Sequence, residues 1–249
     1  MAGERTRFWS RKALLQVPNL MTIAALVAGI TAILMSTYGL FEVSALLVLS
    51  AAIVDGLDGR VARRIGANSE LGAELDSLAD FVNFGVAPAL IMNLWAFPDF
   101  KRLGWVAALC YAICCLLRLA RFNVGSRAPA GPAEKHHFRG VPSPGGAALV
   151  MMPLYLSLAT GSARPVPDLV VMGWMVIVGL MMVSNFPTPK LGVILVRRSW
   201  LMLIGIGFGI ALARHPWATM LGLDLLYLCF LLQGMLRSLR RAGTKRGPV

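Results

Sequence analysis

The stretch AAIVDGLDGRVARRIGANSELGAELDSLADFVNFGVAPAL, residues 51–90, places four aspartates inside sequence that is otherwise apolar enough for a lipid bilayer. Two apolar segments, Glu42 to Ala62 and Gly72 to Phe97, flank a short polar turn around Gly66, Ala67 and Asn68. Each is long enough to cross a hydrocarbon core about 30 Å thick. Asp55 and Asp58 are three apart and Asp76 and Asp80 four apart, so each pair shares one helical face. In an antiparallel hairpin, residues at equal depth have a constant index sum, which sets Asp58 level with Asp76 and Asp55 level with Asp80. An ionised carboxylate inside a membrane helix costs about 2.5 to 3.5 kcal/mol on insertion scales. A lone intramembrane aspartate is commonly a packing group, but four in register are not. They cannot all stay ionised without a cation, and oxygen ligands with no His or Cys beside them select hard ions such as Mg²⁺, Mn²⁺ or Ca²⁺. Gly56, Gly59 and Gly72 leave room for a ligand on the same faces, and Arg60, Arg63 and Arg64 offer donors to an anion such as phosphate.

Composition supports a membrane setting for this hairpin. Of 249 residues, 57% are hydrophobic and 14% charged, against an ordinary 45–50% and about 25%, and the mean hydropathy is +0.69. The expected fold is all-α and polytopic, with eight spans: Asn19 to Leu40, Glu42 to Ala62, Gly72 to Phe97, Leu103 to Leu119, Gly145 to Thr160, Asp168 to Ser184, Trp200 to Ala213 and Trp217 to Leu236. With eight spans, 20 of the 24 Lys and Arg fall on the side that holds both termini, leaving Lys101, Arg102, Arg164 and Arg214 on the other. Both termini are therefore expected in the cytoplasm, with the aspartates near that face of a cytoplasmic membrane. The basic excess is assigned to anionic lipid, not to nucleic acid.

Residues 1–18 read as a basic interfacial segment with Phe8 and Trp9, residues 19–236 as the transmembrane domain, and residues 237–249 as a basic polar tail. The apolar run that follows the first basic residues is too long for a signal-peptide core. Cys110, Cys114, Cys115 and Cys229 lie in apolar segments without a CxxC pair and read as small buried hydrophobes. His136, His137 and His215 have no partner at metal-ligand spacing. Asp224 stands alone in the last span, and nothing in the hairpin accounts for it.

The pattern Asp55-x2-Asp58-Gly59-x2-Ala62-Arg63-x8-Gly72-x3-Asp76-x3-Asp80 resembles, at every defined position, the signature of the CDP-alcohol phosphotransferases. The resemblance implies that Asp55, Asp58 and Asp76 coordinate metal, and that Asp80 completes a two-metal Mg²⁺ or Mn²⁺ site and serves as the catalytic base for the incoming alcohol. It implies a cytidine diphosphate pocket lined by Asn19, Thr22, Asp58, Gly59, Ala62, Arg63 and Gly72, and a homodimer. Gly205 and Gly209 in the seventh span have a spacing too common to locate an interface.

Three further stretches look like the phosphatidylserine synthase branch of that family: Arg118-Leu119-Ala120-Arg121-Phe122-Asn123, the run Phe138 to Pro144, and the run Val183 to Lys190. The implied donor is CDP-diacylglycerol and the implied acceptor L-serine, with Arg118, Arg121, Asn123, Ser143 and Lys190 as candidate contacts to serine or the diphosphate. Serine carries a carboxylate, so its pocket needs a fixed cation, and Arg118 and Arg121 are candidates for that clamp. They also fit simple anchoring to lipid headgroups. Glycerol 3-phosphate, an inositol phosphate and choline are rival acceptors, the first two wanting a denser cationic pocket and choline an aromatic cage. A cation-coupled transporter is a different class of reading, but it favours a midplane site and two similar halves, and neither is evident here. A lipid-binding scaffold gives no reason for the aspartate register.

Overall fold

The computed structural model describes the backbone of residues 2–66, 69–98, 101–127, 140–184 and 207–244, and the side chains of residues 16–66, 69–98, 102–125, 140–184 and 207–235. The described residues are helical, and no strand occurs among them. The helices are α1 (Ala2–Thr37), α2 (Phe41–Ile65), α3 (Glu70–Asp80), a widened π-helical turn (Phe81–Val86), α4 (Ala87–Ala96), α5 (Lys101–Arg127), α6 (Ser143–Thr160), α7 (Asp168–Val183), α8 (207–214) and α9 (Pro216–Thr244).

Four stretches are long and apolar enough to cross a membrane: Gln16–Thr37, Glu70–Ala96, Arg102–Gly125 and Pro216–Met235. Asp168–Val183 is apolar but shorter, and α2 is set apart by its charged end. Much of the expected seventh span lies outside the described residues. The basic N-terminal segment and the first span form one helix, with Pro18 inside it. Along α1, Leu20, Ile23, Val27, Ile30 and Leu34 point outward at spacings of three and four residues, a stripe that suits lipid as the solvent.

The α2–α3 connection is tight. Gly66 takes the left-handed conformation (φ 67°) and its N–H closes α2 on the Ala62 carbonyl, a geometry that favours glycine. Ser69 then caps α3, accepting a hydrogen bond from the Gly72 N–H at 3.0 Å. α1 packs along α2 and against α3 and α4, α5 packs on α7, and α6 on α9. The core between them is filled by Phe84, Ile91, Met92, Tyr111, Leu149 and Met175, all fully buried.

The third span is not the uninterrupted α-helix that its hydropathy suggests. Directly after Asp80 the helix widens, and the Ala87 N–H bonds to the Val82 carbonyl, five residues back. Pro88 explains the irregularity, because it cannot donate to the Phe84 carbonyl and its ring crowds that group. The Tyr111 hydroxyl from α5 donates to the Phe84 carbonyl instead, at 2.7 Å. The same device recurs in α6, where Pro153 leaves the Leu149 carbonyl free and the Trp174 Nε1–H from α7 donates to it at 2.7 Å. A backbone carbonyl in hydrocarbon needs such a donor.

Candidate active site

The acidic wall is built from the α2–α3 hairpin. Asp55, Asp76 and Asp80 each offer a carboxylate oxygen, and these three atoms lie within 4.8 Å of one another. Asp76 is exposed at the mouth of the cluster, and Asp80 lies deeper, with its Oδ1 buried and lacking a hydrogen-bond partner. Three converging carboxylates, with a buried and unpartnered oxygen on Asp80, suit a hard divalent cation that neutralises their repulsion. Asp58 is not one of this trio. It is 3% exposed and its Oδ2 accepts a hydrogen bond from the Thr22 hydroxyl of α1 at 2.8 Å. Equal depth brought Asp55 and Asp80 together as expected, but depth does not fix direction, and Asp58 faces α1.

The expected cytidine-pocket residues gather partly around this link. Thr22 is bonded to Asp58, and Asn19 faces Gly72 so closely that a Cβ there would meet Asn19 Oδ1 at 3.0 Å. Gly72 thus lets α1 approach the start of α3. Gly59, Ala62 and Arg63 continue along α2, and the Arg63 side chain is exposed.

A basic wall faces the acids from α5, α6 and α7. Arg118, half-buried, donates from Nη1 to the Ser143 hydroxyl at 2.6 Å, lies over the Phe122 ring at 5.7 Å, and is close enough to Asp80 to attract it electrostatically. Arg121, three residues on, turns elsewhere and donates to the Val183 carbonyl at the end of α7 at 2.7 Å. Asn123 exchanges hydrogen bonds with Ser77, its Nδ2 donating at 3.0 Å and its Oδ1 accepting at 3.2 Å. Lys190 lies outside the described residues.

Three residues of this site escape sequence reasoning. Ser77 sits between Asp76 and Asp80 and ties the acidic hairpin to α5. Cys115, buried, lies one turn before Arg118 beside Ser143. Tyr227 comes from α9, and a lone tyrosine in an apolar helix gives no signal.

Residues 15–184 match the CDP-alcohol phosphatidyltransferase family. The chain belongs to that family. Its relatives include proteins named CDP-diacylglycerol–serine O-phosphatidyltransferase. The one from Mycobacterium tuberculosis is 39% identical over 176 residues, covering 70% of this chain and 61% of that protein. The one from Mycobacterium leprae is 37% identical over 227 residues, covering 88% and 75% respectively. The Helicobacter pylori protein is 35% identical over 173 residues, covering 70% and 71%. The family match contains both walls of the cleft and ends before α9.

Proposed function

We propose that this chain transfers a phosphatidyl group from CDP-diacylglycerol to the hydroxyl of L-serine, giving phosphatidylserine and CMP. The observation that carries the reading is the convergence of Asp55, Asp76 and Asp80 opposite the Arg118–Ser143 pair. The names of the relatives supply the donor and acceptor.

Asp55, Asp76 and Asp80 would hold Mg²⁺ or Mn²⁺, with Asp58 completing a two-metal set once it exchanges its Thr22 hydrogen bond. Bound there, the cations would neutralise the diphosphate and stabilise charge on departing CMP. Asn19, Thr22, Gly59, Ala62, Arg63 and Gly72 would receive the cytidine diphosphate, where missing side chains let the nucleotide approach the helices. The serine oxygen attacks the phosphorus that bears the diacylglycerol, the bond from that phosphorus to the CMP oxygen breaks, and the serine proton passes to the Asp80 carboxylate. Oδ1 of Asp80, buried without a donor, is suited to take it. Arg118, Arg121, Asn123, Ser143 and Lys190 would orient the acceptor or the diphosphate. Positioning should contribute more than proton transfer, since phosphoryl transfer asks little covalent work of the protein.

The same reading gives eight spans with both termini in the cytoplasm, an active site on the cytoplasmic side of the inner membrane, and a homodimer. Cysteine labelling of each terminus in sealed cells tests the topology.

The deciding assay is CMP release by purified protein given CDP-diacylglycerol with L-serine, glycerol 3-phosphate or inositol phosphate, each with Mn²⁺, Mg²⁺ or chelator. Release should require both L-serine and a divalent cation. Release with another acceptor would move the protein to a different branch, and none from folded protein would return the acids to an ion pathway.

A further inference from the structure

α9 brings further polar groups to the same end of the molecule. α6 and α9 run antiparallel: Trp217 stacks on Tyr155 with ring centroids 6.1 Å apart, and roughly three turns deeper Tyr227 lies against Gly145. The Tyr227 hydroxyl is buried and has no hydrogen-bond partner. A Cβ at residue 145 would sit 3.1 Å from that oxygen, so glycine is what lets the phenol reach this depth. Two residues earlier is Ser143, fully buried and bonded to Arg118. Arg118 and Tyr227 are close enough to interact electrostatically.

The helix end between them is open. α6 starts after Pro142 with no side-chain cap, and its first ladder bond runs from the Gly146 N–H to the Pro142 carbonyl at 2.9 Å. The Ser143 and Gly145 N–H groups thus stand outside the ladder, at the positive end of the helix dipole. A guanidinium, two hydroxyls and a helix N-terminus converge here, and the guanidinium is also close enough to Asp80 to attract it. An unpartnered phenol in such company calls for an anionic acceptor group.

We propose that the Tyr227 hydroxyl, together with Arg118 and the open first turn of α6, binds the carboxylate of the acceptor, making Tyr227 a specificity-determining residue supplied from outside the family match. The inference rests on the serine reading above. A carboxylate gripped on the basic wall would leave the serine hydroxyl free to face the phosphorus on the acidic wall, and choline offers nothing for this grip.

The test compares wild type and Tyr227→Phe in Mn²⁺ and CDP-diacylglycerol, with L-serine or with serinol, which keeps the amine and hydroxyl but lacks the carboxylate. The KM for L-serine should rise about tenfold, as expected for a lost hydrogen bond to a charged group. The kcat and the KM for CDP-diacylglycerol should move by less than about threefold, and serinol should lose much less than L-serine. The melting temperature of the variant without substrate should equal or exceed that of wild type, because the deleted hydroxyl had no partner. An unchanged L-serine KM, an equal loss with serinol, or a fall in melting temperature matched by loss with every substrate would overturn the proposal. Wild type that releases no CMP with L-serine would overturn the serine reading itself, a result distinct from a Phe variant that behaves as wild type.

Discussion

The two walls of the cleft are held by opposite means. On the basic side the guanidinium and amide groups have found protein partners, Arg118 bonding Ser143, Arg121 the Val183 carbonyl and Asn123 Ser77. Only the Tyr227 hydroxyl among the described side chains named there is left over. On the acidic side three carboxylates crowd within 4.8 Å, and Asp80 keeps a buried oxygen with no donor. A wall whose cations are already bonded to protein can be rigid before anything binds. A wall of crowded carboxylates has most to gain from a cation, so in the reading proposed above its order and its chemistry depend on the same event.

Three measurements would break or sharpen this contrast. In the mechanism proposed above, Asp80→Asn removes both a metal ligand and the proton acceptor, and CMP release should fall by about a thousandfold or more. Yet the variant without divalent cation should melt no lower than wild type, because a repelling charge has gone; a clear drop would show that the acidic wall is self-sufficient after all. Mn²⁺ at about a hundred times its dissociation constant should stabilise wild type by about 2.7 kcal/mol, and thermal unfolding of Asp55→Asn or Asp76→Asn should show little of that gain. Equal stabilisation of all three would move the cation elsewhere. The smallest effect belongs to Ser77→Ala, which unties Asn123 and should cost about 1 kcal/mol of stability with or without metal, read from the same melts. If its cost appeared only with Mn²⁺, Ser77 would belong to the acidic wall and not to the join between them.

How far the sequence announces this site varies with the physics involved. The aspartate hairpin is legible because helical period and equal depth are arithmetic, and Gly66 marks the turn. Direction around a helix is harder. Depth put Asp58 opposite Asp76, but Thr22, on a third helix, competes for its carboxylate. Arg118 and Arg121 look like one clamp, although residues three apart on an α-helix diverge by about 60°, and that is enough to send one to Ser143 and the other to α7. The widened turn after Asp80 leaves no mark in hydropathy, which counts apolar atoms and not residues per turn. Pro88 was its visible trace. Tyr227 could not have been singled out, since its role depends on Gly145 lying across from it in a different helix. The mapping of the eight spans is only partly matched by the four long apolar helices.

The two proline-freed carbonyls also say something about how the molecule is made. Chains emerge from the ribosome N-terminus first, so Phe84 is in place before Tyr111 exists, and Leu149 before Trp174. Each carbonyl is left open until the next donor helix is synthesised, and during that interval the nascent segment gains by staying near water or near the insertion machinery. Each proline thus makes the closing of its own helix depend on a donor carried by a later one.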